Sequence, residues 1–243
     1  MNLVIDIGNT AAKIAVFEGE ELKEIAYSPN HSLEALKEIS EKYPLTQGII
    51  ASVVTLTSEM LQHLRMLDIR LIQLTSETPI PVNNLYKTPK TLGADRLAAV
   101  IAAHTLSPQH DALVIDAGTC ITYDYIDANG NYLGGNISPG ISMRLKAMHA
   151  FTDKLPLIPL EGEIPSWGNS TETAIRAGAI QGVQMEIEGY IQSARQKNPH
   201  LFVFLTGGDS FYFDTPRKNS IFADKFLVLK GLNRILNYND THS

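Results

Sequence analysis

Residues suited to phosphate chemistry occur together where the first apolar run of the chain ends, in Asp6-Ile7-Gly8-Asn9-Thr10. Gly8 lets the backbone approach an anion closely, and the side chains of Asn9 and Thr10 can donate, with the turn N–H groups, to phosphate oxygens. Asp6 can hold Mg²⁺ through waters, and Lys13 adds a positive charge. The predicted phosphate-handling residues are Asp6, Gly8, Asn9, Thr10, Ala11 and Lys13. The alternative is a hairpin in which Asp6 only bonds its own turn.

A second turn of the same kind follows later, in Asp116-Ala117-Gly118-Thr119. Each copy consists of an apolar run, an Asp, a Gly turn, a hydroxyl residue and a returning strand. Asp116 offers a second carboxylate and Thr119 a second hydroxyl for a bound phosphate. Two unrelated hairpins that share turn chemistry would also give this pattern. Matching third strands near 22–28 and 132–138 favour an internal duplication instead.

A third group of polar residues leads from a loop into a helix. Tyr86 precedes Gly93-Ala94-Asp95-Arg96, after which an apolar helical pattern begins. A carboxylate within hydrogen-bond reach can take the proton of a hydroxyl nucleophile, and a planar guanidinium suits a carboxylate ligand. The alternative is an ordinary Asp95–Arg96 pair in a first helical turn, where Asp95 complements the helix dipole.

Alternating strand and helix patterns must position these residues. Strands are predicted at 2–7, 12–17, 21–27, 48–54, 69–74, 121–127, 132–138, 202–206 and 225–229, and in the run before Asp116. Helices are predicted at 32–39, near 57–67, at 93–106, at about 140–150, from Ser170 or Thr171 onward, and at about 231–237. Mixed elements in two similar halves, 1–110 and 111–243, predict an α/β fold with a nucleotide cleft between the halves.

Composition excludes several functional classes. The 243 residues suffice for a buried core, and a net charge of −6 argues against nucleic-acid binding. Cys120 is the single cysteine, so no intramolecular disulfide is expected. The first residues lack the pattern of a signal peptide, and the longest apolar run is too short to span a bilayer. A cytoplasmic protein without a membrane partner is expected, and its seven histidines show no zinc-ligand spacing.

The two hairpins resemble those of the superfamily that contains actin, the sugar kinases and the heat-shock chaperone ATPases. In that fold each of two ribonuclease H-like halves opens with such a hairpin, and ATP with Mg²⁺ lies between them. Gly207-Gly208, after an apolar strand, matches the place where those proteins meet the adenosine.

The Tyr and the Gly-x-Asp-Arg motif resemble those of the type III pantothenate kinases, and the resemblance runs from Leu3 to about Leu236. It implies ATP-dependent phosphorylation of pantothenate, the first step towards coenzyme A. By the same resemblance Asp95 is the general base and Arg96 holds the pantothenate carboxylate. Tyr86 and Gly93 belong to the same substrate site.

Further roles follow only from this resemblance. Asp116 matches an acidic residue that binds a monovalent cation, K⁺ or NH₄⁺, and Thr171 matches a threonine that touches the substrate. The family is homodimeric, and Tyr86 and the helix face with Gly178 and Gly182 are candidates for that contact. Helix capping is an alternative or additional role for Thr171.

Two departures and two rival functions accompany the resemblance. Ala12 stands where many relatives have a hydroxyl residue, and Asp209-Ser210 follows the Gly-Gly where smaller or apolar residues are common. One rival is another small-molecule kinase of the same fold. The other is a non-enzymatic regulator, for which loss of the Asp-Arg pair or a basic face is expected. The chain keeps Asp95-Arg96 and is acidic, which favours the enzyme.

Overall fold

A computed structural model describes residues 1–213 and 221–241 of the chain. Its strands are β1 (Asn2–Ile7), β2 (Ala11–Glu18), β3 (Glu21–Pro29), β4 (Gln47–Ser52), β5 (Arg70–Gln73), β6 (Asn83–Asn84), β7 (Ala112–Ala117), β8 (Cys120–Ile126), β9 (Asn131–Pro139), β10 (Phe202–Thr206) and β11 (Ile221–Ala223). Its α-helices are α1 (Ala35–Lys42), α2 (Ser58–Arg65), α3 (Ala94–Leu106), α4 (Ile141–Ala150), α5 (Thr171–Lys197) and α6 (Leu227–Thr241). Short 3₁₀ helices lie at Pro89–Thr91 and Ser210–Phe213.

The chain forms two compact units. The first contains residues 1–108, 130–132 and the described residues from Phe226 onward, and the second contains residues 109–129 and the described residues of 133–225. The division into halves at residue 110, and a nucleotide cleft between halves, stay predictions.

The first unit is built on a five-stranded sheet in the order β3-β2-β1-β4-β5. The hairpin strands β1, β2 and β3 are antiparallel, whereas β4 and β5 run parallel to β1. Every residue of β1 is buried, as expected for a central strand covered on both faces. The apolar side chains of β1 and β2 pack with Leu36 and Ile39 of α1 and with Met60 of α2.

The second unit repeats this strand order. Five strands of the six-stranded second sheet run β11-β10-β7-β8-β9, with β8 antiparallel and β10 parallel to β7, and β11 parallel to β10. The sixth strand, β6, pairs with the first two residues of β9. The central strand in both sheets is therefore the one that leads into the Asp-Gly turn. The shared order and directions confirm the predicted α/β fold of two ribonuclease H-like sheets and favour internal duplication over two unrelated hairpins.

The predicted strand at 225–229 is wrong, because these residues enter helix α6 at Leu227. Leu227, Val228 and Leu229 are all buried, and three consecutive apolar residues suit either a buried strand or a buried helix. The short strand β11 lies earlier, at Ile221–Ala223.

Helix α1 begins at Ala35 rather than at the predicted Ser32. Leu33 adopts a left-handed backbone with a φ of 57°, which an L-residue cannot continue as a right-handed helix. The hydroxyl of Ser28 accepts from the Ala35 N–H at 2.9 Å and satisfies the first turn. None of the described helices combines the length and apolar character needed to cross a bilayer.

Candidate active site

The β1–β2 hairpin places the first group of predicted residues at one end of the first sheet. Asp6 and Lys13 are cross-strand partners, and the Gly8 N–H donates to the Ala11 carbonyl at 3.0 Å, which closes the turn. Asn9 and Thr10 are exposed at its tip. The turn therefore presents polar groups to an incoming ligand, as predicted for a phosphate site.

Asp6 is a buried carboxylate whose negative charge is only partly offset by Lys13. Burial raises its pKa from 3.8 to about 6, the charge of Lys13 opposes this rise, and the charge of Asp95 adds to it. The Lys13 Nζ lies 3.7 Å from Asp6 Oδ2, a longer contact than a charge-assisted hydrogen bond. Two carboxylates with one lysine beside them are suited to a divalent cation, so the residues fit Mg²⁺.

The buried Asp6 carboxylate is expected to destabilise the folded protein when no nucleotide is bound. The folded-state pKa is raised, so the folded state binds the proton more tightly, and the free energy of unfolding should rise as pH falls from about 6 towards 3.8. At pH 8 the shift corresponds to about 3 kcal/mol at most. Asp6→Asn should therefore raise the melting temperature at pH 8 in EDTA by several degrees.

Asp68→Asn, a change of an exposed aspartate in the same unit, is the matched control and should leave the melting temperature unchanged. A melting temperature of Asp6→Asn at or below that of the control would show that Lys13 already compensates the buried charge.

The start of α3 holds the Gly-x-Asp-Arg motif in a tight arrangement. Gly93 is the N-cap residue of α3, and a Cβ at this position would lie 2.4 Å from Asp95 Oδ1. That oxygen accepts from the Arg96 N–H at 2.8 Å. Gly93 is thus required for the Asp95 carboxylate to occupy this place, which gives the motif spacing a physical reason.

Arg96 is a buried cation that lies beside an aromatic ring. Its side chain is 5% exposed, and its guanidinium carbon lies 5.6 Å from the centre of the Tyr86 ring, within cation–π range. The Tyr86 ring stacks in turn on Tyr132, with centroids 6.0 Å apart and planes 20° apart. Tyr132 is fully buried, so it gives this stack a fixed base.

Residues 83–86, the segment that carries Tyr86, form hydrogen bonds with the start of β9. The N–H of Asn83 donates to the Gly130 carbonyl at 2.9 Å and that of Leu85 to the Tyr132 carbonyl at 3.1 Å. The Asn84 side chain accepts from the Tyr86 N–H at 3.0 Å. Tyr86 is therefore positioned by backbone pairing, although the sequence predicts only a loop here.

The β7–β8 hairpin of the second unit carries the second group. Gly118 N–H donates to the Cys120 carbonyl at 2.9 Å, and Thr119 is exposed at the turn. Gly207 has a φ of 95°, and a Cβ there would lie 2.5 Å from Asp116 Oδ1 and 2.2 Å from the Ala117 carbonyl oxygen. The glycine turn after β10 therefore lies directly against the Asp116 strand end.

Thr171 begins α5, and its hydroxyl is not the cap. Ser170 is the N-cap residue and accepts from the Thr173 N–H at 3.2 Å, while Thr171 is exposed. Arg176, 1% exposed, donates to the carbonyls of Pro159 and Glu163 and thereby fastens the preceding loop to α5. The hydroxyl of Thr171 is accordingly available for a ligand.

Within the first unit, the structure brings Asp6, Lys13 and Asp95 together and sets Tyr86 against Arg96. Within the second, Thr171 makes no hydrogen bond to the β7–β8 turn in the part of the chain that the structure describes. No cluster of three His, Cys, Asp or Glu side chains suited to a metal occurs among residues 1–213 and 221–241. His242 lies outside the described residues.

Three residues that the sequence analysis did not single out also support the site: Asn30, Tyr132 and Arg176. Asn30 donates to two carbonyls of the first turn. Their contacts join residues far apart in the chain, so neither motif spacing nor periodicity indicates them. A correct prediction of the β2–β3 pairing is the one signal that would place Asn30 near the turn.

The comparisons with known proteins decide the family. Residues 2–193 match the family model described as type III pantothenate kinase. A type III pantothenate kinase of Phocaeicola vulgatus is 60% identical over 240 residues, which cover 99% of each chain. The chain belongs to the type III pantothenate kinase family.

Solved structures extend this result to the fold. A Campylobacter jejuni protein described as a Baf family transcriptional activator is 22% identical, with a TM-score of 0.62 over 98% of this chain and 99% of that one. A Listeria monocytogenes protein described as an N-acetylmannosamine kinase is 11% identical, with a TM-score of 0.55 over 98% and 99%. Both solved structures share the fold of this chain, and the kinase family implies ATP and a divalent metal.

Proposed function

We propose that this chain transfers the γ-phosphoryl group of ATP to the primary hydroxyl of pantothenate, giving ADP and 4′-phosphopantothenate, the first step of coenzyme A biosynthesis. The observation that carries the proposal is the 60% identity to a type III pantothenate kinase along the whole chain, together with an intact Gly93–Asp95–Arg96 arrangement at the start of α3.

Asp95 is the proposed general base. It accepts the proton of the pantothenate hydroxyl as the new O–P bond forms and the bond to the ADP oxygen breaks. Its carboxylate is half-buried and lies close enough to Asp6 to raise the pKa of that residue. The base and the proposed metal-binding carboxylate thus face one region of the first unit.

Arg96 is the proposed anchor of the pantothenate carboxylate. Its guanidinium is buried against the Tyr86 ring, an environment that strengthens pairing with an anionic ligand. The exposed hydroxyl of Thr171 is proposed as a further substrate contact.

The hairpin residues are proposed to hold the nucleotide. Asp6 binds Mg²⁺ through waters, and Gly8, Asn9, Thr10, Ala11, Lys13 and Thr119 contact phosphate. Mg²⁺ supplies neutralisation of the charge that develops on the transferring phosphoryl group. Asp116 is proposed to bind K⁺ or NH₄⁺, since the neighbouring backbone at Ala117 offers carbonyl oxygens.

A homodimer is also proposed, in the cytoplasm where ATP is available. The second unit exposes large apolar side chains on and before α5, including Trp167 at 90% and Met185 at 68% exposed. A Cβ at Gly178 on the same helix would meet nothing within 4 Å, so a second helix can approach closely there. Sedimentation should give twice the 26.7 kDa of one chain, and a monomer at micromolar concentration would contradict the proposal.

A coupled assay of ADP release tests the activity. Purified protein with MgATP and K⁺ should release ADP only when pantothenate is added, and a panel of sugars should give no release. Release with a sugar and none with pantothenate would favour the rival small-molecule kinase.

Arg96→Lys should chiefly raise the KM for pantothenate, because a lysine keeps the charge but loses the two-pronged contact of the guanidinium. The KM for ATP should change little. Arg65→Lys, the same change at an exposed position, is the control. If Arg96→Lys raised the KM for ATP instead, Arg96 would belong to the nucleotide site.

A further inference from the structure

Asn30 lies immediately after β3 and contacts the turn between β1 and β2. Its side-chain Nδ2 lies 2.6 Å from the carbonyl oxygen of Asn9 and 3.3 Å from that of Gly8. The two N–H hydrogens of one amide can thus serve two successive peptide groups of the turn.

These two contacts fix the direction of two backbone donors. In a planar trans peptide, the C=O of one residue and the N–H of the next lie in one plane and point in opposite directions. Holding the Gly8 carbonyl therefore directs the Asn9 N–H away from Asn30, and holding the Asn9 carbonyl directs the Thr10 N–H the same way. Both N–H groups then face the side of the turn opposite Asn30.

Asn30 is itself held by structure on both sides. The β2–β3 pairing sets Pro29 opposite Ala11, which brings the next residue beside the turn. The Thr57 hydroxyl donates to the His31 carbonyl at 3.2 Å, and a ring nitrogen of His63 lies 2.9 Å from the Ser32 carbonyl. The segment that carries Asn30 is thereby braced against α2 and its cap.

We propose that Asn30 is a positioning residue of the nucleotide site, which orients the N–H groups of Asn9 and Thr10 towards the phosphates of ATP. Without it these two peptide planes must be oriented when ATP binds, whereas pre-oriented donors need no such reorganisation. The inference rests on the proposed function for the identity of the ligand, and it concerns a side chain that does not itself contact the nucleotide.

Two variants test this role. Asn30→Ala removes both donors, and Asn30→Asp also places a carboxylate against two carbonyls. We expect kcat/KM for ATP to fall about 10- to 100-fold, more in Asn30→Asp than in Asn30→Ala, while the KM for pantothenate changes little. Loss of two hydrogen bonds should lower the melting temperature only by a few degrees, so both variants should stay folded. Asn129→Asp, the same change at an exposed residue of the β8–β9 turn, is the matched control and should behave as wild type.

Two further measurements separate the possible failures. Calorimetry with Mg²⁺ and the non-hydrolysable analogue AMP-PNP reports nucleotide affinity without pantothenate, so it decides the role of Asn30 even if wild type fails to release ADP with pantothenate. In wild type, AMP-PNP should shift the amide resonances of Asn9 and Thr10, which does not depend on any variant folding. Unshifted resonances, or variants that bind AMP-PNP as well as the control does, would overturn the inference.

Discussion

Replacing Asp95 with asparagine is expected to lower turnover roughly 10²–10⁴-fold, the usual contribution of a general base. The Asp95 Oδ1 accepts from the Arg96 N–H, and an asparagine oxygen can keep this bond, so the start of α3 should stay intact. The amide cannot take the proton of a hydroxyl. Both substrates should therefore still bind, and the loss should appear in kcat measured under saturating substrate.

Asp153→Asn is the matched control, because Asp153 is an exposed aspartate. Calorimetric titration of Asp95→Asn with pantothenate and with AMP-PNP separates chemistry from binding. Near-normal turnover of Asp95→Asn would rule out Asp95 as the base, and loss of pantothenate binding would assign it to substrate recognition instead.

Exchanging K⁺ for Na⁺ at constant ionic strength and saturating Mg²⁺ is expected to abolish nearly all turnover. Asp116 lies near the end of β7, beside the Ala117 carbonyl and the Gly207 backbone, so its carboxylate and a backbone oxygen lie close together. A large, weakly hydrated monovalent ion suits such a site, whereas Mg²⁺ requires tight octahedral geometry. Asp116→Asn should accordingly be poorly active even at high K⁺.

In the competing account, Asp116 binds no monovalent ion and only orients a water or the Mg²⁺ shell. The rate in NH₄⁺ helps to distinguish the two, because NH₄⁺ has nearly the size of K⁺ and should restore activity. Equal rates in Na⁺ and K⁺ would refute the monovalent site.

The turns that carry the proposed site residues could be predicted from sequence because neighbouring residues determine them. The Gly8-Asn9-Thr10 turn is indicated by its own residues between two strand patterns, and Gly93 is explained by a contact only two residues away, with Asp95. The fold class could be predicted for a similar reason, since the strand and helix patterns of the two halves repeat.

Contacts between distant parts of the chain could not be predicted in this way. Asn30 is a polar residue in a turn, and nothing near it in sequence indicates that it bonds the Gly8 and Asn9 carbonyls. Leu227, Val228 and Leu229 are buried in a helix, because packing on α3 outweighs a local pattern that also suits a strand. Tertiary packing determines both the Asn30 contacts and the helical state of residues 227–229.

Helix α6 packs on α3, the helix that begins with Asp95 and Arg96. The fit is close, since a Cβ at Gly231 would lie 1.8 Å from the Ala98 carbonyl oxygen. During translation, residues 109–225 are synthesised before α6. The second unit contains no part of α6, whereas the first leaves the apolar face of α3 uncovered until α6 folds onto it. Chaperones and proteases can therefore act on the first unit, which carries the proposed base, in the period before α6 packs on α3.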